Sequence, residues 1–224
     1  MSGDGRRKIY DSTLQLSCSR YLPVDETQIP TGQLVSVKLP SSAEESRGLT
    51  LFDFTSEKLL QSIRLVDGCG ASGIDHCFAV DGALHEDGSY KYDSSLQRSI
   101  YESVSSSLTR MMIDGPLLSH IDSTGYLRHV GTLTDPASGR RLDVHATQPG
   151  VQVYTANWLS NSSSIGDDGD SSSPHTQHNA ICLETQHFPD AVNQSQSNKS
   201  FPSVVVRPGE APYFHQAVFT FSTC

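Results

Sequence analysis

The sequence predicts an all-β protein built from short strands packed as a sandwich. Three observations carry this. Apolar and polar residues alternate with a period of two in at least six places. The intervals between those places hold Gly, Pro, Asp and Ser in turn-forming combinations. Helical spacing of apolar residues appears in a single stretch. Period-two alternation marks strands with one face toward a core, and regularly spaced turns then favour a layered β architecture over a helical one.

The elements follow in chain order. Val35, Val37 and Leu39 alternate with Ser36 and Lys38, after a turn at Ile29-Pro30-Thr31-Gly32. Ile74, His76, Phe78 and Val80 alternate with Asp75, Cys77 and Ala79. Leu142, Val144 and Ala146 alternate with Asp143 and His145, behind the turn Asp135-Pro136-Ala137-Ser138-Gly139. Val151, Val153 and Thr155 oppose Gln152 and Tyr154, and Ile181, Leu183 and Thr185 oppose Cys182, Glu184 and Gln186. After a turn at Arg207-Pro208-Gly209, Ala217, Phe219 and Phe221 alternate with Val218 and Thr220. Proline presets one turn dihedral and glycine supplies positive φ, so these stretches read as chain reversals.

Two stretches depart from the pattern. Residues 83–130 read as an insertion, in which Leu96, Ile100, Val104 and Leu108 fall at four-residue steps and suggest one amphipathic helix near 94–113. Its serine content opposes that helix, and a largely unstructured loop is the competing expectation. Residues 161–179 are rich in Ser, Gly and Asp and are expected to form a solvated loop.

The chain has 224 residues, enough for one domain with a real core, and a net charge of -9. That charge argues against nucleic acid and anionic membranes as partners. No apolar run reaches the length of a membrane span. Met1 to Lys8 has no apolar region after its basic residues, and the five cysteines lack C-x-x-C spacing, so a cytoplasmic protein with free thiols is expected.

Two motifs invite a misreading. Gly68 to Gly73 matches G-x-G-x-x-G, but the residues after it read as a strand, whereas a dinucleotide site needs a helix N-terminus there. His175, His178, Cys182 and His187 do not have the spacing of a compact zinc module. A flexible turn and solvated histidines are the plainer readings, and no metal is expected.

Glu184 stands on the polar face of an alternating strand, where a carboxylate lining a cleft can serve as a general base. Asp75 faces away from the apolar side of its own strand, and Gln152 shares a face with Tyr154, an amide beside an aromatic ring that suits a sugar. Taken singly, a surface glutamate, a strand-face aspartate and a surface amide are equally ordinary readings.

Five segments, in order, resemble the aldose 1-epimerase (galactose mutarotase) family. They are RYLPVDETQIPTGQL (20–34), LFDF (51–54), GIDHCFAV (73–80), SGRRLDVHATQPGVQVYTANWL (138–159), and LETQHFPDAVNQ (183–194) with FPSVVVRPGE (201–210). The resemblance implies a galactose-mutarotase-like β-supersandwich. It implies interconversion of the α and β anomers of a free hexose, galactose or glucose, by general acid/base ring opening. The family's catalytic base carries over onto Glu184, and its sugar-binding aspartate and glutamine onto Asp75 and Gln152. Only protons move in such a reaction, so no cofactor is implied, and the partner is a small hexose.

The family's acid is a histidine in an N-H-x-Y-x-N-L motif, and that motif is not among the 224 residues. The chain is therefore expected to correspond to the C-terminal part of a mutarotase, either a piece of a longer protein or a short protein with a vestigial, sugar-binding site. A β-supersandwich lacking its early strands is expected to bare strand edges and apolar sheet faces.

Overall fold

The computed structural model describes residues 8–38, 51–65, 67–68, 71–83, 127–159, 176–209, 213 and 215–224. Twelve strands run through them: β1 (Thr13–Leu16), β2 (Arg20–Leu22), β3 (Val35–Ser36), β4 (Lys58–Leu59), β5 (Asp67–Gly68), β6 (Ala71–Ser72), β7 (Asp75–Ala79), β8 (Arg128–Asp135), β9 (Arg140–Ala146), β10 (Gly150–Tyr154), β11 (Cys182–Gln186) and β12 (Ala217–Thr223). Among the described residues, helix is confined to 3-10 turns at Ile9–Asp11 and Leu60–Leu65 and one α-helical turn, α1 (Ala191–Gln194). Among the described residues no helix is long and apolar enough to cross a membrane.

The strands form two five-stranded antiparallel sheets and a small hairpin. The first sheet has the order β12-β9-β8-β1-β4, the second β11-β10-β7-β2-β3, and β5 pairs with β6. The sheets face each other across one core. Leu14, Leu16, Val130, Leu133, Val144 and Ala146 come from the first, and Tyr21, Phe78, Val151 and Val153 from the second. Every one of these is under a tenth exposed, so the alternating apolar positions of β7, β9 and β10 point where their pattern says they should. Tyr21 stacks on Phe52 with ring centroids 4.8 Å apart, closing the core beyond β2.

The turns behave as their residues require. Gly139 has φ 69°, its amide donates to the Asp135 carbonyl at 2.9 Å, and the Ser138 hydroxyl donates to Asp135 Oδ2 at 2.7 Å, so the β8–β9 hairpin is held by the aspartate that begins it. After Gly73 comes strand β7 rather than a helix, the arrangement expected for the glycine-rich stretch.

Other expectations are modified. The alternation at 35–39 gives a strand of only two residues, β3; Val37 is fully buried beyond it, and Leu39 lies outside the described residues. The helix expected near 94–113 and most of 161–179 also lie outside them, while residues 128–130, at the end of the stretch read as an insertion, begin β8. In β12, Phe219 and Phe221 are 48% and 75% exposed, although their positions alternate as core residues should.

A second, smaller cluster covers part of the outward face of the second sheet. Leu22, Cys77 and Ala79 on that face pack against Phe188, Ala191 and Phe201, which α1 and its flanking loops bring over it. Gly150 permits this approach: a Cβ there would stand 2.9 Å from Cys77 Sγ and 3.0 Å from Phe188 Cδ1. Beyond that cluster the face continues along β7, β10 and β11 toward Asp75.

Candidate functional site

Register builds the site. β10 lies between β7 and β11. Gln152 pairs with Cys77 on one side and Glu184 on the other, and Tyr154 pairs with Asp75 and Cys182. Directly opposed residues in an antiparallel ladder present their side chains on the same face, with Cβ atoms about 4.5–5.5 Å apart. Asp75, Gln152, Tyr154, Cys182 and Glu184 therefore share the outward face of the second sheet, beside the Phe188–Phe201 cluster.

Within this group Gln152 Nε2 donates to Asp75 Oδ1 at 2.7 Å. The bond crosses from β10 to β7 and fixes both side chains. It uses one of the amide's two donors and one carboxylate oxygen, leaving an N–H, an amide oxygen and a carboxylate oxygen for a ligand. Glu184 is adjacent to Gln152 across the other ladder and is exposed, while Asp75, Gln152 and Tyr154 are half-buried. The three residues singled out from the sequence are thus brought together, with Gln152 in the middle. Among the described residues, Glu184 stands on an outer strand of the sheet.

The backbone beneath Asp75 is anchored by a buried polar network. Ile74 N–H donates to Thr155 Oγ1 at 2.8 Å, the Thr155 hydroxyl donates to Asn157 Oδ1 at 2.6 Å, and Asn157 Nδ2 donates to the Ile74 carbonyl at 3.1 Å. Thr155 and Asn157 are both buried. Gly73, with φ 132°, leads the chain into this network so closely that a Cβ there would overlap Asn157 Oδ1. The network ties the start of β7 to the end of β10, and so holds Asp75 beside Tyr154.

Electrostatics report the same proximity. Burial pushes the Cys182 thiol above its ordinary value, and the nearby carboxylates of Glu184 and Asp75 push it further in the same direction. Both carboxylates therefore act on one point of the face. Behind it, on the core side of β7, His76 packs edge-on to Phe52 with centroids 4.7 Å apart and to Tyr21 at 5.9 Å. Burial lowers its pKa, and the Asp75 charge partly opposes that. His76 is thus the packed histidine its side of the strand suggests, not part of the outward cluster.

The sequence does not reveal two neighbours. The Tyr154 phenol oxygen accepts the backbone N–H of Trp158 at 3.1 Å, so the loop after β10 turns back over the end of the site. Ala156 makes that turn with φ 54°, a conformation an alanine does not advertise. Cys182 shares the face of Glu184 by alternation, but its place opposite Tyr154 comes from register alone. Of the residues weighed as metal ligands, His178 is fully buried with Nδ1 against the Thr155 carbonyl at 2.7 Å, and His187 lies beyond β11 with its ring 6.1 Å from that of Tyr213.

Comparison with known proteins adds an independent line. A family model described as aldose 1-epimerase matches residues 1–218. The chain is 32% identical over 226 residues to galactose mutarotase of Rattus norvegicus, covering 99% of this chain and 47% of that protein. It is 30% identical over 226 residues to galactose mutarotase of Homo sapiens, with the same coverage, and 26% identical over 210 residues to aldose 1-epimerase of Escherichia coli (strain K12), covering 92% of this chain and 44% of that one. It spans about half the length of the curated relatives it matches. Among solved structures, an aldose epimerase homologue from C. elegans superposes with a TM-score of 0.56 at 19% identity, covering 98% of this chain and 48% of that one. Galactose 1-epimerase from Lactobacillus acidophilus superposes with a TM-score of 0.53 at 17% identity, covering 96% and 45%. These likenesses show a common β-sandwich fold.

Proposed function

The chain belongs to the aldose 1-epimerase family, and on that premise we propose that the outward face of β7, β10 and β11 takes a free hexose and interconverts its anomers. The observation that supports this best is the register placing Gln152 between Asp75 and Glu184, with the Gln152–Asp75 bond already made. An amide and a carboxylate held in a fixed relation form a preorganised pair for two neighbouring hydroxyls of a sugar ring. Glu184, one strand further on, is the base.

In this reading the Glu184 carboxylate removes the proton of the C1 hydroxyl while the ring oxygen gains a proton. The bond from C1 to the ring oxygen breaks, leaving an open-chain aldehyde. Rotation about C1–C2 presents the other carbonyl face, and closure with the protons returned gives the other anomer. Tyr154, whose phenol oxygen accepts the Trp158 amide, carries a hydroxyl that can donate toward the ring oxygen. Each positioned acid or base contributes about 10²–10⁴-fold, roughly 3–5 kcal/mol of barrier.

One observation favours a second reading, in which the face binds a hexose without turning it over. Glu184 is exposed, so bulk water competes with a sugar hydroxyl for its carboxylate. Polarimetry on freshly dissolved α-galactose and α-glucose, against a protein-free blank, tests the first reading. Acceleration proportional to protein concentration supports it. A rate equal to the blank, together with hexose-induced NMR shifts at residues 75, 152 and 184, supports binding alone. No shifts and no acceleration defeat both readings.

A further inference from the structure

We infer that Ser17 is a nucleophile, activated by His129, that takes the acyl group of a small activated ester. The site lies on the outward face of the first sheet, on the far side of the sandwich from Gln152. Across the β8–β9 ladder His129 pairs with His145 and Thr132 with Asp143. Val144 and Ala146 alternate with Asp143 and His145 and belong to the core, so the paired polar residues point outward. Ser17 follows β1, and its amide donates to the Val130 carbonyl at 2.9 Å, which sets it beside His129. The Ser17 hydroxyl lies 2.8 Å from His129 Nδ1.

The direction of each hydrogen bond follows from the one group that can only accept. Arg141 donates to both oxygens of Asp143, each at 2.7 Å, and this holds the carboxyl down to about 2. Asp143 is therefore an anion, and the Thr132 hydroxyl donates to its Oδ1 at 2.6 Å. With its one proton spent there, Thr132 Oγ1 accepts from His129 Nε2, 3.2 Å away. Nε2 thus carries the proton of the neutral ring, and Nδ1 turns a lone pair to Ser17. Asp143 stands 3.9 Å from Nε2 and acts through Thr132. Burial lowers the His129 pKa; His145 lowers it further, Asp143 opposes, and Arg141 lowers it again. The ring is therefore free to accept a proton near neutral pH.

A hydroxyl that donates to one imidazole nitrogen, while the other is held by a third group, is the arrangement that activates a serine. As Ser17 Oγ bonds to the acyl carbon, its proton passes to His129 Nδ1. The bond from that carbon to the leaving oxygen breaks, and the proton moves on to the leaving group. The products are an acyl ester of Ser17 and a free alcohol or phenol. His129 is the base, and Thr132 and Asp143 are positioning residues. Ser17 is half-buried and the His129 side chain is 35% exposed, so a small ester reaches both. Ser19, also half-buried, donates its hydroxyl to Asp81 Oδ1 at 2.6 Å and supplies a reference in the same chain. A carboxylate is a weaker base than an imidazole.

Treatment of the full chain with p-nitrophenyl acetate, followed by acid quench and peptide mapping by mass spectrometry, tests this. Ser17 should be acetylated faster than Ser19 by about 10²-fold or more. His129→Gln should bring Ser17 to the rate of Ser19 and leave Ser19 as it was, whereas unfolding would change both. Nitrogen NMR of the His129 ring near neutral pH should place the proton on Nε2, and Thr132→Val should remove that preference. A Ser17 acetylated no faster than Ser19 overturns the proposal. So does a preference for Ser17 that survives His129→Gln, or a ring proton found on Nδ1 of the unaltered chain.

Discussion

The amide of Gln152 donates to Oδ1 of Asp75 at 2.7 Å across the β7–β10 ladder, joining residues 77 positions apart in the chain. Neither side chain is fully buried, so the pair can change partners when a ligand arrives without leaving a charge stranded in the core. Glu184 stands opposite Gln152 on the other ladder.

Replacing Gln152 by Ala should weaken hexose binding by about 2–10-fold, the range for losing a hydrogen bond between two neutral groups. Asp75 would also lose the contact that holds its carboxylate in place. NMR titration with galactose and glucose measures this. Unchanged affinity would remove Gln152 from the binding site.

Glu184→Gln should leave stability within about 0.5 kcal/mol, as expected for an exposed position, while lowering the anomerisation rate by about 10²–10⁴-fold. Urea unfolding and polarimetry on the same preparation separate the two effects. A variant as active as the unaltered chain would exclude Glu184 as the base.

Gly73→Ala should destabilise far more than Gly209→Ala. Both glycines have positive φ, 132° and 87°, but a Cβ at Gly73 would overlap Asn157 Oδ1 and stand 2.7 Å from Thr155 Oγ1, while one at Gly209 meets nothing within 4 Å. Backbone strain alone costs about 1–3 kcal/mol. Disruption of the buried Thr155–Asn157 network should raise the loss at Gly73 to about 3–5 kcal/mol. Comparable midpoints in urea for the two variants would contradict this ordering.

Acidification should destabilise the fold before its carboxylates titrate. Burial lowers the pKa of His76, with Asp75 partly opposing, and burial is also the leading cause of lowered values at His129, His187 and His215. A histidine whose folded pKa lies below its unfolded value near 6.5 binds its proton more readily when unfolded. Its contribution is therefore complete above about pH 6.5 and is lost as pH falls through the folded pKa. Unfolding free energy measured in urea should decline from pH 7.5 to 5, and His76→Phe should make that decline shallower. An unchanged slope would mean that His76 does not contribute to it.

The strand alternation was legible in the longer strands that have one core face and one outward face; β1, where Leu14 and Leu16 are buried and Gln15 exposed, alternates over only four residues. β7, β9, β10 and β11 fall where the pattern puts them. β1 and β8 were not legible. β8 has four consecutive buried residues, Val130 to Leu133, around a bulge between His129 and Gly131, so its burial does not alternate. In β12 the alternation is present but both faces are largely exposed, because burial depends on what lies opposite and an outer strand has little opposite it.

For the candidate site, period-two reasoning assigns Asp75, Gln152 and Glu184 to the outward faces of their own strands, since that property is local to each strand. It does not say that β10 lies between β7 and β11, nor that the ladders bring Gln152 level with Glu184 and within a hydrogen bond of Asp75. Strand order and register are long-range choices. They follow from how the whole apolar set of both sheets closes on one core, and from anchors such as Thr155 and Asn157 that join distant segments. The same long-range packing leaves Glu184 in solvent on an outer strand, a position that no alternation within residues 181–186 encodes.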